Sequence, residues 1–224
     1  YDQLSAHGYE QARSLGRYLA AQEKKLDYVY VGPLQRHLQT YDMVCEAYAQ
    51  QGIALPTAVV MPELDEHRWP TILRQIAPRL YESLPEIQPW ISPEDADPVT
   101  KKRNHLKLFH YCMDLWAMGK LAHLHPPEYP TWQTFRATVA RGLEQIKTQH
   151  ATERGITVAL FTSGGTISAA MGHVLGMQKE ELVAGLNGLV VNTSITEMLL
   201  DRARISLRSF NHVPHLEQEA VTYV

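Results

Sequence analysis

The chain has 224 residues, of which 45% are hydrophobic and 20% charged, and a formal net charge of -3. That length and composition fit one globular domain able to bury its own core, and they exclude a disordered or collagen-like chain. The near balance of 21 basic and 24 acidic residues gives no global field for nucleic acid. The apolar runs, such as Val158–Phe161, fall far short of a membrane span. Two cysteines, Cys45 and Cys112, point to a reducing cytoplasm rather than a disulfide scaffold.

The chain opens at Tyr1, without a methionine or a signal-like segment, and reads as if it starts mid-protein. Ser5 is a plausible cap for a first helix, on which Tyr9, Ala12, Leu15 and Leu19 recur at helical spacing. Asp27–Gly32 reads as a short strand. Pro33 then opens a helix striped by Leu34, Leu38, Tyr41, Cys45 and Tyr48 and ended by Gly52, and Thr57–Met61 reads as a second strand. Ten of the thirteen prolines lie between Pro62 and Pro130, so the segment from about 62 to 131 is expected to be an insertion of short helices, one of them near Lys101–Met118. Regularity returns with Trp132, Phe135, Val139, Leu143 and Ile146, a helix that ends before Gly155. Ile156–Thr162 reads as a buried strand, Gly164 and Gly165 as a turn, and Thr166–Leu175 as a helix closed by Gly176. Ser194–Leu200 and Ile205–Phe210 read as an antiparallel pair. The pattern predicts a single α/β domain, a three-layer sandwich with a mostly parallel central sheet and an antiparallel edge.

Three segments carry candidate chemistry. In Val31–Thr40 a strand gives way to a helix start, where free amides and the positive dipole end favour an anion. Arg36 in that first turn matches phosphate geometry as a bidentate fork, or it is simply a solvated arginine. In Thr162–Ile167 the two glycines let backbone amides approach an anion, and Ser163 offers a catalytic hydroxyl, as a hydrogen-bond donor first and as a nucleophile second. The competing reading is an ordinary strand-to-helix turn. In Glu63–Trp69 the residues Glu63, Asp65 and Glu66 offer a general acid or base, against a plain solvated loop. His123 and His125 sit beside prolines and read as surface loop. Lys101–Arg103 reads as a solvated helix face that an anionic substrate would touch only as the minority case. The histidines form no metal-ligand pair, so neither a metal site nor a cofactor is expected.

Taken in order, these pieces resemble the histidine phosphatase superfamily, the phosphoglycerate-mutase-like fold. The strings "LSAHGYEQARSLGRYL", "GPLQRHLQT", "LDEH", "ALFTSGGTI" and "SFNHVPHL" look like that family's motifs, from Leu4 to about Leu216. The resemblance implies hydrolysis of a small phosphate monoester through a phosphohistidine. Arg36 is then a phosphoryl ligand, Glu66 the acid that protonates the leaving oxygen, and Gly164 and Gly165 the backbone beside a second histidine. Two features depart from the family. Its Arg-His-Gly segment is absent from this sequence, which would leave a sheet edge open in the middle of the fold. Ser163 stands where the second histidine belongs, and a serine supplies no positive charge. A hydrogen bond from a neutral group is weaker than one from a charged group by about 1 kcal/mol, roughly tenfold in rate. His67, His212 and His215 are the candidates to compensate. The alternative function is a catalytically impaired relative that binds a phosphorylated ligand or a protein partner. The oligomeric state, a homodimer included, is left open by the sequence.

Overall fold

A computed structural model describes residues 2–91 and 95–223; Tyr1, where the chain opens, and Pro93 of the middle segment lie outside them. Helix α1 (Ala6–Ala21) starts where Ser5 accepts a hydrogen bond from the Gly8 amide at 3.0 Å, a side-chain cap on an otherwise unsatisfied donor. Strand β1 (Tyr28–Val31) follows, then helix α2 (Gln35–Ala49) and a two-residue strand β2 (Val59–Val60). Helix α2 begins two residues after Pro33, because Leu34 holds the extended backbone of the cap position.

The middle segment folds as longer helices than its prolines suggest. Helix α3 (Trp69–Ser83) and helix α4 (Pro98–Ala117) span 15 and 20 residues. Pro70 and Pro98 sit in first turns, where a missing N–H costs nothing, so they start helices instead of breaking them. Pro78 inside α3 faces solvent. The apolar residues Trp69, Ile72, Ile76, Leu80, Cys112 and Trp116 form one core with Trp132, Phe135 and Val139 of helix α5 (Trp132–Gln149). Burial of the Cys112 thiol pushes its pKa up to about 12, so it is an inert core group at neutral pH.

Strand β3 (Val158–Phe161) leads into helix α6 (Gly164–Val174), two residues earlier than the glycine pair suggests. Helix α7 (Glu180–Asn187) follows, an element the sequence reading does not contain, and then strands β4 (Ile195–Leu200) and β5 (Ile205–His212).

The parallel sheet has the order β2-β1-β3, with Tyr30 opposite both Val59 and Leu160. Alternation along β1 sorts two faces. Val29 and Val31 pack with Leu15, Ala20, Val44 and Tyr48 of α1 and α2, whereas Tyr30 packs with Met61, Leu64 and Ile146 on the α5 side. Helices therefore cover both faces of a mixed α/β layer structure. The antiparallel pair differs from the expected sheet edge. Among the described residues β4 and β5 form a sheet of their own, and β3 has a ladder partner only on its β1 side. Val158, Ala159 and Leu160 are accordingly half-buried where a central strand would be buried.

Candidate active site

Both chain segments that turn from strand to helix end at the same rim of the sheet. Gly32 N–H donates to the Phe161 carbonyl at 2.9 Å, which holds the end of β1 against the end of β3. Arg36, in the first turn of α2, donates through Nη2 to Ser163 Oγ at 2.9 Å, across 127 residues of chain. Its Nη1 lies 3.5 Å from Asp2 Oδ1, and its backbone N–H donates to the Asp2 carbonyl. Ser163 is the N-cap residue of α6, yet its side chain makes no cap hydrogen bond. Its oxygen is turned instead to Arg36 and to His37 Nε2, 2.5 Å away.

The acidic loop is fastened to the same helix start. Thr162 Oγ1 donates to the Leu64 carbonyl at 2.7 Å and Thr166 Oγ1 to the Asp65 carbonyl at 2.5 Å. Glu66 is thereby held over α6, where Oε2 accepts the Gly165 N–H at 3.1 Å and Oε1 accepts the His67 N–H at 2.7 Å. Each oxygen keeps a second lone-pair site for a proton. The Gly165 amide is thus engaged by a carboxylate in this structure. Gly165 also leaves Glu66 its place: a Cβ there would lie 2.1 Å from Glu66 Oε1 and would force it to shift. Glu63 and Asp65 are less central, pairing with Arg141 and Arg68.

None of the three histidines named as compensators bonds to Ser163. His67 is boxed by Trp116, Trp132 and Phe135, with Nε2 3.3 Å from Asn187 Nδ2 and 3.4 Å from Glu66 Oε1. His212 is exposed at the end of β5, and His215 meets Thr193 Oγ1 at 3.0 Å. The imidazole at Ser163 is that of His37, which sequence reasoning missed. Its signal was present, since His37 stands i+3 from Leu34 and i−4 from Tyr41 and so falls within the apolar stripe of α2.

Elsewhere, His125 is half-buried instead of loop-exposed, accepting the Trp116 indole N–H at 3.2 Å. Lys102 and Arg103 border a shallow depression on the outer face of α4 with Leu106 and His110. Among the described residues no cluster of His, Cys, Asp or Glu is arranged to hold a metal ion, and no helix is long and apolar enough to cross a membrane.

Two histidines set an acid limit on stability. Burial, with the Arg36 charge adding to it, pushes His37 down to about 4, and burial beside His212 does the same to His215. Unfolded, both titrate near about 6.5. The unfolded chain therefore binds more protons between these values. Stability is full above about pH 6.5 and falls as pH drops toward about 4, by about 3 kcal/mol for His37 and less for the more exposed His215. Urea unfolding of the wild type at about pH 7 and about pH 4.5 is expected to show this loss, and His37→Gln to show a smaller one.

An arginine fork, a hydroxyl and a helix start that meet at the carboxyl ends of parallel strands are what open α/β sheets use to seat anionic ligands. The class is narrowed by the sequence itself, which matches the family model described as histidine phosphatase superfamily (branch 1) over residues 3–105 and 112–213; the chain belongs to that superfamily. No curated protein matches it. Among solved structures it is similar in fold to a phosphoglycerate mutase from Bacillus anthracis, at 15% identity and TM-score 0.62 over 95% of this chain and 83% of that one. It is likewise similar to a phosphoserine phosphatase from Entamoeba histolytica in complex with phosphoserine, at 17% identity and TM-score 0.60 over 96% of this chain and 87% of that one. An alpha-ribazole phosphatase from Shigella flexneri matches at 20% identity and TM-score 0.58, over 93% of this chain and 83% of that one.

Proposed function

We propose that this protein hydrolyses a small phosphate monoester, with the phosphoryl group seated on Arg36, Ser163 and the start of α6 at Gly164, beside the Gly165 amide that Glu66 already occupies. The observation that carries this reading is the 2.9 Å contact between the Arg36 guanidinium and Ser163 Oγ at a helix N-terminus. A phosphoryl oxygen entering there replaces Asp2 on one arm of the fork and meets a guanidinium already held at the helix start, which stabilises charge as it develops. Glu66, on the other side of Gly165, donates a proton to the leaving alcohol. The route implied by family membership passes through a phosphohistidine on an Arg-His-Gly histidine, a tripeptide this sequence does not contain. Residues 62–131, as an insertion in a single domain spanning 1–224, shape the cleft that selects the substrate. Two free cysteines fit a cytoplasmic setting.

The second reading is binding without turnover, favoured by a neutral Ser163 and by the Asp2 carboxylate already resting on Arg36. Aryl phosphate hydrolysis and inorganic phosphate binding by the wild type and Arg36→Ala separate the two. Arg36→Ala is expected to lose roughly 10²-fold or more in kcat/KM. Turnover that survives the substitution rules out Arg36 as the phosphoryl clamp. Phosphate binding without any turnover in the wild type establishes the binding reading.

A further inference from the structure

His37 is buried to 3% exposure, touches the phosphoryl seat through one atom, and has no part in the chemistry set out above. Its ring is built in. Gly32 has no Cβ, and one placed there would lie 2.3 Å from His37 Nδ1, so the β1–α2 turn is shaped around the imidazole. Nδ1 is buried without a hydrogen-bond partner, and Nε2 faces Ser163 Oγ.

Ser163 has one hydroxyl hydrogen and two neighbours. Arg36 is only a donor, so it occupies a lone pair on Oγ. With His37 neutral and its one ring proton on Nδ1, the hydroxyl hydrogen points to Nε2, and Ser163 turns lone pairs toward the cleft, which repel an anion. A proton on Nε2 reverses the chain: Nε2–H donates to Oγ, and the hydroxyl hydrogen swings out to the anion.

We propose that His37 is a positioning residue which takes up a proton when a phosphoryl dianion settles on Arg36 and Ser163, so that Ser163 relays the imidazolium charge that a serine alone lacks. The proposal rests on the phosphoryl seat described under the proposed function. Only an N–H bond forms; the proton comes from solvent and returns there when the anion leaves. Burial and the Arg36 guanidinium hold the imidazole neutral, while the Gly32 backbone beside the ring and, after it, the Asp2 carboxylate act the other way. Ser163 of α6 and Gly32 of the β1–α2 turn bring no charge. On the loop before α3, Glu66 is turned to Gly165 and His67 to Asn187. Two negative charges one hydroxyl away outweigh the single guanidinium that opposes protonation.

The test is calorimetric titration of the whole chain with sulfate, dianionic across the working range, in buffers of different protonation enthalpy near pH 7. Uptake approaching one proton per sulfate is expected for the wild type. His37→Gln, which keeps the volume and a donor toward Ser163, is expected to bind roughly tenfold more weakly, without uptake and without pH dependence. Sulfate binding with no proton taken up, or the same uptake in His37→Gln, overturns the relay while leaving the phosphoryl seat intact. No sulfate binding at all overturns the seat itself. Nitrogen-15 spectra of the histidine rings in the wild type guard against a variant that fails to fold. One ring is expected to shift to imidazolium values on saturation, and that signal to move in Ser163→Ala; unchanged rings overturn the proposal.

Discussion

Gly165→Ala is expected to fold and to lose turnover by about 10²-fold or more on an alkyl phosphate. The added Cβ would lie 2.1 Å from Glu66 Oε1 and 2.5 Å from His67 Cδ2, far inside contact distance. Neither neighbour retreats easily. Glu66 is held by two backbone amides, and its loop is tied to α6 through Thr162 and Thr166. His67 is walled in by aromatic rings. Overpacking costs about 1–3 kcal/mol, partly offset by about 1 kcal/mol of helix propensity gained over glycine, so the fold survives. The displaced group is the proposed proton donor, and positioned acid catalysis contributes roughly 10²–10⁴-fold. The loss should be smaller on an aryl phosphate, whose leaving group needs less help, and inorganic phosphate should bind within a few-fold of wild type because Arg36 is untouched. Equal losses on aryl and alkyl esters would mean that Glu66 is not the acid.

The parts of this site that could be read from sequence are those fixed by local signals. A glycine or proline between a strand and an amphipathic helix announces a helix start, and Arg36 and Ser163 each sit at one. The carboxylate followed from its place after the second strand, although which of Glu63, Asp65 and Glu66 points inward depends on threonine hydroxyls about 100 residues away. What escaped was decided by packing. His37 lies in the same helical stripe as Leu34 and Tyr41, but an apolar stripe does not say whether a histidine within it serves the core or a site. Helix α3 was missed because proline density was weighed without position, while Pro70 occupies a turn where proline initiates; α4, expected near Lys101–Met118, differs only in starting at Pro98. Helix α7 has only eight residues, too few for a period to declare itself, and it is held by tertiary contacts. The separation of β4–β5 from the parallel sheet concerns partners, which no single strand encodes.

Trp132→Ala is expected to be the most destabilising single change in the shared core, by about 3–5 kcal/mol, which for a chain of this size lowers Tm by about 10 °C or more. Trp132 is fully buried at the first turn of α5, in contact with Trp116, Phe135 and His67. Its indole N–H donates to Glu180 Oε2 at 2.6 Å, and Arg136 Nη1 donates to the other oxygen of that carboxylate at 2.7 Å. Glu180 opens α7, so this fork anchors the helix whose last residue, Asn187, faces His67. Truncation therefore leaves a cavity beside His67 and removes one of two tethers on α7. Trp132→Phe separates the effects, since it keeps most of the volume and deletes only the hydrogen bond to a charged acceptor, expected at about 1.5–3 kcal/mol. If both variants unfold at the same urea midpoint, the tether to α7 accounts for the whole effect; if Trp132→Phe matches wild type, only the filled space beside His67 matters. An intermediate midpoint for Trp132→Phe is the expected result, because the ring and the N–H serve different neighbours: one fills the wall behind His67, the other fixes the helix that closes it.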